Sequence, residues 1–226
     1  MDELHSNNKF KTLKIFFTII GIFLLLFGFI GFMTCAATST SSVNVSKYYK
    51  PYPLNDKNGL VVDSNGNIYI GDTQTGSIQV YDMSGNFQYG FNFPTGGSGW
   101  FTFGIEQDKI HVLTTRTQSH FIFNNGELIS SEKGIDYNQS EKLQKQYHMT
   151  TDNSYELNNR IYTISTTNTI DVKDKATGQI QQIHLNVPIY PFPIYVFWII
   201  GVMGMALLYI VQHKFFSEIL KAKKKK

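Results

Sequence analysis

Two long apolar runs, one near each end of the chain, constrain the fold more than any other feature of the sequence. The first, residues 15–33, contains 19 residues without a charge, and the second, residues 194–211, contains 18. At ~1.5 Å of rise per residue, a helix of either length comes close to the ~30 Å hydrocarbon thickness of a bilayer. We therefore predict two transmembrane α-helices, at residues 15–36 and 188–212, with a soluble domain held between them.

Basic residues flank both runs on the sides that face away from the central domain. Residues 1–14 and 212–226 carry 9 Lys and Arg against 3 Asp and Glu, whereas the rest of the chain carries 11 against 14. Because positively charged flanks stay on the cytoplasmic side of a membrane, we expect a basic N-terminus at 1–14 and a Lys-rich tail at 213–226 in the cytoplasm. The central domain, residues 38–190, is then expected outside the cell, in a two-pass protein of the plasma membrane.

The basic residues form tails and not a patch on a folded face, so no nucleic-acid partner is expected. The tail offers two interpretations, which stay open. One is a short amphipathic helix that lies on the inner leaflet and binds anionic lipid, and the other is a plain stop-transfer cluster. The first rests on four apolar residues that share one helical face beside the lysines: Phe215, Phe216, Ile219 and Leu220.

Cys35, at the end of the first apolar run, is the only cysteine. It excludes an intramolecular disulfide, which favours a bacterial cell surface over a small disulfide-rich secreted protein. A signal peptide cleaved near Cys35 is an alternative to an anchor, but the run exceeds the ~7–15 residues usual for that apolar region. A lipoprotein is less favoured still, because Phe32, Met33 and Thr34 depart from the usual lipobox. We expect an uncleaved anchor with Cys35 as a small residue at the helix end.

Glycines give both predicted helices a face that permits close approach. Gly21 and Gly28 lie on one stripe of the first helix, and Gly201 and Gly204 lie on the second. Since lipid supplies no hydrophobic drive for helix association, small residues at an interface favour packing. We therefore expect the two helices to pack together, within one chain or between copies.

Residues 59–91 read as short β-rich runs separated by turn residues. Asn65 and Gly66 form a strong tight-hairpin signal, because both central residues of such a turn need positive φ. The next two turns are predicted at Thr75 with Gly76 and at Ser84 with Gly85. The pattern predicts a four-stranded antiparallel meander with strands at 60–62, 67–71, 77–81 and 87–91.

The runs 59–63, 66–72 and 78–82 resemble a blade of an NHL-type β-propeller, as in bacterial membrane-anchored proteins with six-bladed-propeller-like domains. Degenerate copies of the same strand–turn rhythm follow from about Phe103 and about Arg160, and a period of ~40–50 residues is typical of propeller arrays. The resemblance implies an all-β extracytoplasmic domain of propeller-like antiparallel blades at 59–187, flanked by the two transmembrane helices. Residues 37–58, rich in Ser, Thr and Asn, are predicted to be a linker.

A polar segment, residues 137–152, separates the second and third copies. Asn138 with Glu141 is predicted to form a capping box before a short helix at 142–147. The segment is either a binding insertion or a surface loop, and we favour the loop because surface insertions are commonly tolerated without a function.

Nothing in the sequence amounts to an active site. His111 and His120 lie nine residues apart on strands that are candidates to be neighbours, but no Cys or acidic pair joins them, so no metal site is expected. Asp63, Asp72 and Asp82 occupy turn positions, where short carboxylates cap backbone N–H groups. We therefore predict no catalytic, cofactor-binding or metal-binding residues, no cofactor, and a protein that is not an enzyme.

The function that remains is a membrane-anchored interaction module, or an accessory subunit of a membrane complex. It would bind a protein, peptide or glycan through the propeller-like domain. The alternative is a membrane-bound propeller-type enzyme, for which scattered pairs such as Asp171 with Arg116 are the candidates.

Three copies are fewer than the ~4–8 blades of a closed propeller. The predicted partners, besides the lipid bilayer, are therefore a second copy of the chain in a homo-oligomer or other membrane-complex subunits. Folding back of the arms at 38–58 and 181–193 is a less favoured way to cover the array.

Overall fold

The computed structural model describes residues 2–39, 44–96, 100–166, 168–188 and 194–223, and in these ranges it leaves out the side chains of 2–11, 35–39, 194 and 214–223. The chain forms two compact units: a helical unit, Met1–Ala37 with Pro191–Lys226, and a β domain, Thr38–Tyr190.

The elements follow one another in this order: α1 (Asp2–Ser39), β1 (Ser46–Tyr48), β2 (Lys57–Val62), β3 (Ile68–Asp72), β4 (Ser77–Tyr81), β5 (Phe87–Asn92), β6 (Phe101–Glu106), β7 (Lys109–Thr114), β8 (Ser119–Asn124), β9 (Glu127–Lys133), α2 (Tyr137–Gln146), β10 (Ser154–Leu157), β11 (Arg160–Ile164), β12 (Thr169–Asp174), β13 (Ile180–His184) and α3 (Ile194–Lys223).

The helical unit contains two stretches long and apolar enough to cross a membrane, Thr12–Thr34 of 23 residues and Tyr195–His213 of 19. Most apolar side chains along them point away from the protein; Phe23 is 65% exposed and Met203 is 59% exposed. A helix that is apolar all round suits a hydrocarbon surrounding. The amphipathic face predicted for the tail and the side chain of Cys35 lie outside the described residues.

The two long helices pack antiparallel through their glycines. A Cβ added to Gly28 would stand 2.6 Å from the Cα of Gly201, and one added to Gly204 would stand 2.9 Å from the carbonyl oxygen of Gly21. Backbones approach this closely only where neither helix carries a side chain. The predicted glycine contact is thus confirmed, and it forms within one chain.

The β domain consists of three antiparallel sheets. Sheet A has the strand order β1-β5-β4-β3-β2, sheet B the order β6-β7-β8-β9, and sheet C the order β10-β11-β12-β13. The meander predicted for 59–91 is confirmed as β2 to β5. The added strand β1 pairs with β5, with Lys47 opposite Phe91, so part of the segment predicted as a linker belongs to the sheet.

Sheet A, the first in sequence, lies in the middle of the domain. One of its faces shares a core with sheet B, in which Val80 and Phe91 of sheet A meet Val112 and Phe123. The opposite face shares a second core with sheet C, built from residues such as Leu60, Ile68, Ile170 and Ile183. Burial on both faces explains why β3 and β4 are buried at every position.

The connection from sheet B to sheet C crosses the edge of sheet A. This path leaves sheet A between the other two sheets. The backbone N–H of Thr150 donates to the carbonyl of Phe103 in β6 at 2.9 Å, and Leu60 in β2 donates to the carbonyl of Asp152 at 2.9 Å. Residues 150–152 therefore run past β6 and then β2 before β10 begins. The three sheets form an open stack, not a closed ring.

The chain's own segments cover parts of this stack. Leu54 and Leu185, in the two arms, are buried in the core between sheets A and C. Parts of both arms thus fold back onto the sheets, which was the less favoured prediction. Completion of the array by a partner stays a prediction.

The N-cap of helix α2 lies two residues before Asn138, the residue predicted for that position. Asp136 is the N-cap: its side chain accepts from the backbone N–H of Gln139 at 2.8 Å, and the Gln139 side chain accepts from the N–H of Asp136 at 3.1 Å. The predicted box of Asn138 and Glu141 is wrong. Both pairs have the required spacing, but Ile135 is buried and fixes the chain immediately before Asp136.

Candidate functional site

Three hairpin turns of sheets A and B meet around an open cavity of about 500 Å³, which we call the polar cleft. The turns β2–β3, β6–β7 and β8–β9 contribute most of its wall, and the ends of β4 and β5 complete it. The lining side chains are mainly amides, carboxylates and tyrosine hydroxyls: Asp63, Asn65, Asn67, Tyr69, Val80, Gln88, Tyr89, Gln107, Asp108, Asn124 and Asn125.

The tight turns place these side chains. Gln107, Asp108 and Asn125 have φ of 50°, 61° and 49°, the left-handed conformation that two-residue hairpin turns require. Asparagine and aspartate tolerate this conformation better than most residues, because their short polar side chains bond locally. The same choice that closes the hairpins therefore concentrates polar groups at this end of the sheets.

Asp63 organises the wall of the cleft. Its Oδ1 accepts from the backbone N–H groups of Asn65 at 2.9 Å and Asn67 at 2.8 Å. Its Oδ2 accepts from the Asn67 amide at 2.8 Å and from the Tyr69 hydroxyl at 3.2 Å. A carboxylate has about four acceptor sites, and all four are used. Asp63 thus caps the turn, as predicted, and fixes the direction of Asn67 and Tyr69.

Tyr89 forms the part of the wall next to Tyr69, on the other side of β4. A Cβ on Gly126 would stand 2.8 Å from its ring, and Nζ of Lys47 lies 4.6 Å from the ring centroid. Burial raises the pKa of both Tyr69 and Tyr89. Both hydroxyls therefore stay protonated at neutral pH, and the Tyr69 proton is the one donated to Asp63.

The other two turn aspartates are also structural. Asp72 is fully buried; its side chain accepts from the backbone N–H groups of Asn55 at 2.7 Å and Thr75 at 3.0 Å, and burial raises its pKa. It ties the arm before β2 to the β3–β4 turn. Asp82 accepts from the N–H groups of Ser84 and Asn86. The predicted capping role of the three aspartates is confirmed.

A second cluster lies on the outer face of sheet B. His111 of β7 and His120 of β8 are both buried, with His111 Nδ1 3.1 Å from His120 Nε2. The ring of Tyr147, which follows α2, stacks on His111 at 3.7 Å between centroids. The prediction that the two histidines lie on neighbouring strands is confirmed. The strand pattern did not predict that the ring of Tyr147 covers His111.

Burial, with His120 and Lys109 nearby, lowers the pKa of His111 to about 4. Burial also lowers the pKa of His120, against an opposing effect of Glu132. The described residues contain no group of three or more His, Cys, Asp or Glu side chains placed to hold a metal. Two imidazoles alone are fewer than the three protein ligands of a usual catalytic zinc site. Their lowered pKa values keep both rings uncharged at neutral pH, which suits a packed cluster.

The structure does not bring together the pair considered for an enzyme. Asp171 lies in β12 of sheet C, where it accepts from the Gln182 side chain at 2.9 Å. Arg116 lies in the β7–β8 connection of sheet B, and sheet A stands between the two sheets.

Sequence reasoning missed the polar cleft. Its signal was present in the amides at successive hairpin turns, Asn65, Gln107, Asn124 and Asn125. These turns become neighbours only because sheets A and B pack face to face, which no local pattern shows.

No family model matches this chain, and a search of curated proteins found no match. Among solved structures, the chain is similar to virginiamycin B lyase from Staphylococcus aureus at 14% identity and a TM-score of 0.33, covering 63% of this chain and 46% of that chain. A catalytically inactive variant of that enzyme with quinupristin gives 14% identity, a TM-score of 0.33 and coverage of 64% and 47%. A streptogramin B lyase structure has 14% identity and a TM-score of 0.32, and the match covers 63% of this chain and 45% of that chain.

These distant neighbours have a β-propeller-like fold, and this chain spans less than half their length. All three are enzymes, which contradicts the prediction from the sequence that this chain is not an enzyme; we withdraw that prediction. The matches identify neither a reaction nor a catalytic residue here. Because no family model matches, the NHL resemblance stays a prediction, and the structure supports the coarser description of three propeller-like antiparallel sheets with two terminal apolar helices.

Proposed function

We propose that this chain is a two-pass membrane protein whose β domain lies outside the cell and binds a polar ligand in the cleft between sheets A and B. The ligand is a protein, peptide or glycan, bound by a free-standing module or by an accessory subunit of a membrane complex. Both termini lie in the cytoplasm, and the Lys-rich tail contacts anionic lipid. A second copy of the chain or another membrane subunit is the proposed protein partner.

The polar cleft carries the proposal. Its volume of about 500 Å³ falls within the ~300–1,000 Å³ of ordinary ligand sites. Its walls come from well-packed sheets, and Asp63 holds the β2–β3 turn through two backbone N–H groups and the lining side chains of Asn67 and Tyr69 through one hydrogen bond each. Little conformational entropy is therefore lost when a ligand binds to it.

The charge distribution supports the membrane arrangement. Lysines flank both apolar stretches on the same side, and the antiparallel contact of Gly28 with Gly201 suits two helices that cross the same bilayer in opposite directions. An excess of cations on the cytoplasmic side of each helix orients such a pair.

The binding role is tested with the full chain in lipid nanodiscs, probed against a glycan array and a peptide array. We expect at least one probe to bind, and we expect a variant with two cleft amides removed, Gln107→Gly with Asn125→Gly, to lose that binding. Glycine suits the positive φ of both positions, so the turns are retained. Binding that is equal in both chains would place the ligand elsewhere and refute the proposed site.

A further inference from the structure

We infer that the ligand of the polar cleft is a neutral oligosaccharide. This inference rests on the binding role proposed above and narrows it to one chemical class.

The lining is unusual because its amides are available. Within the described part of the chain, the side chains of Asn65, Gln107, Asn124 and Asn125 have no hydrogen-bond partner, although they line one cavity. Each amide offers both donors and an acceptor. A sugar hydroxyl likewise donates and accepts, so a row of free amides matches a row of hydroxyls without leaving either side unpaired.

The cleft is poorly suited to a peptide. Val80 is the only apolar side chain in its lining, whereas peptide recognition normally adds pockets for apolar or charged side chains to the backbone contacts. A site whose lining is mostly polar and offers hydrogen bonds in many directions, beside the rings of Tyr69 and Tyr89, favours a ligand whose own surface is mostly hydroxyl.

The charges of the cleft exclude acidic sugars and ions. No Lys or Arg is among the lining residues, and both charged groups there, Asp63 and Asp108, are carboxylates. These repel an anionic ligand. The Asp63 oxygens are already used by the turn, and the described residues contain no group of three or more His, Cys, Asp or Glu side chains that could hold a metal ion.

Two tyrosine hydroxyls supply fixed contacts at the wall. Tyr69 donates to Asp63, so its oxygen lone pairs are oriented to accept from the ligand. Tyr89 is held between Gly126 and Lys47, and burial keeps its hydroxyl protonated. The two hydroxyls also interact with each other, so ligand hydroxyls meet a pair of phenol groups whose rings are already held in place by packing.

The test uses the full chain in nanodiscs and three probe sets: neutral glucose- and N-acetylglucosamine-based oligosaccharides, oligosaccharides that carry uronic acids, and random peptides. We expect binding of a neutral oligosaccharide, and Gln107→Gly with Asn125→Gly should weaken it by about tenfold or more, as expected for two lost hydrogen bonds.

The matched control is Gln118→Gly with Asn159→Gly. These residues have the same side chains and nearly the same φ, 47° and 63°, but lie in turns outside the cleft. The control should bind like the natural chain.

Four results would overturn the inference, and they distinguish its failure from the failure of the binding role. Peptide binding that is lost in the cleft variant, or preferred binding of the uronic-acid probes, leaves the proposed site standing and refutes the neutral oligosaccharide. No binding of any probe, or equal effects of cleft and control variants, refutes the proposed function itself.

Discussion

Acidification should destabilise the β domain through His111 and His120. Protonating both rings would set two N–H donors against each other across the 3.1 Å contact, beneath the ring of Tyr147. Burial lowers the pKa of His111 from 6.5 to about 4. The unfolded chain therefore binds this proton at a higher pH than the folded chain does.

The sign and size of the effect follow from that difference. A folded-state pKa below the unfolded one means that stability is complete above about pH 6.5, falls as the pH drops towards about 4, and changes no further below that. Each pKa unit corresponds to about 1.4 kcal/mol. Lowering the pH from about 7 to about 5 should therefore remove up to about 2 kcal/mol of the unfolding free energy through His111 alone.

Urea unfolding of the full chain in detergent, followed by tryptophan and tyrosine fluorescence, measures this loss. The variant His111→Gln should lose less stability between the two pH values, by about 2 kcal/mol. Other titrating groups, including Asp72, are common to both chains and cancel in the comparison. Equal pH dependence of the two chains would refute the role assigned to His111.

Three further changes have defined outcomes. Gly28→Leu should separate the paired helices and lower the temperature at which helical circular dichroism is lost, whereas Met203→Leu, at a 59% exposed position, should not. Phe93→Ala should lower the urea-derived unfolding free energy by about 3–5 kcal/mol, because Phe93 is fully buried between sheets A and B; Trp100→Ala, at a 67% exposed position, should change it by less than about 0.5 kcal/mol. Asp63→Asn should lower the urea-derived unfolding free energy by about 1–3 kcal/mol, because it removes hydrogen-bond acceptors of the β2–β3 turn and leaves their donors unpaired.

The strands could be predicted because their signals are local. Gly66 and Gly85 close their hairpins with φ of 87° and 81°, so β2 to β5 follow from the sequence. The prediction that Asn65 also takes a positive φ is wrong, because Gly66 alone of that pair adopts the left-handed conformation. The order of the sheets could not be predicted, since it depends on how residues 150–152 cross β6 and β2, a path set by tertiary hydrogen bonds. β1 was missed for a related reason: three residues of a polar segment pair with β5 only once sheet A exists.

The polar cleft could not be predicted from the sequence either, because it also depends on tertiary packing. Each amide of the polar cleft looks, in sequence, like an ordinary turn residue, and the turn aspartates do serve the turns. Gln107 and Asn125 form one wall only when β6–β7 and β8–β9 end at the same place as the β2–β3 turn. Sequence spacing fixes which residues share a hairpin but not which hairpins meet.

Membrane sidedness is the claim on which an extracytoplasmic binding role depends most directly. On a Cys35→Ser background, Tyr137→Cys places one thiol on α2 at an 80% exposed position, and Ala222→Cys places one in the Lys-rich tail. A membrane-impermeant maleimide added to intact cells should label Tyr137→Cys and should label Ala222→Cys only after permeabilisation. Labelling of the tail in intact cells with protection of Tyr137→Cys would contradict the account.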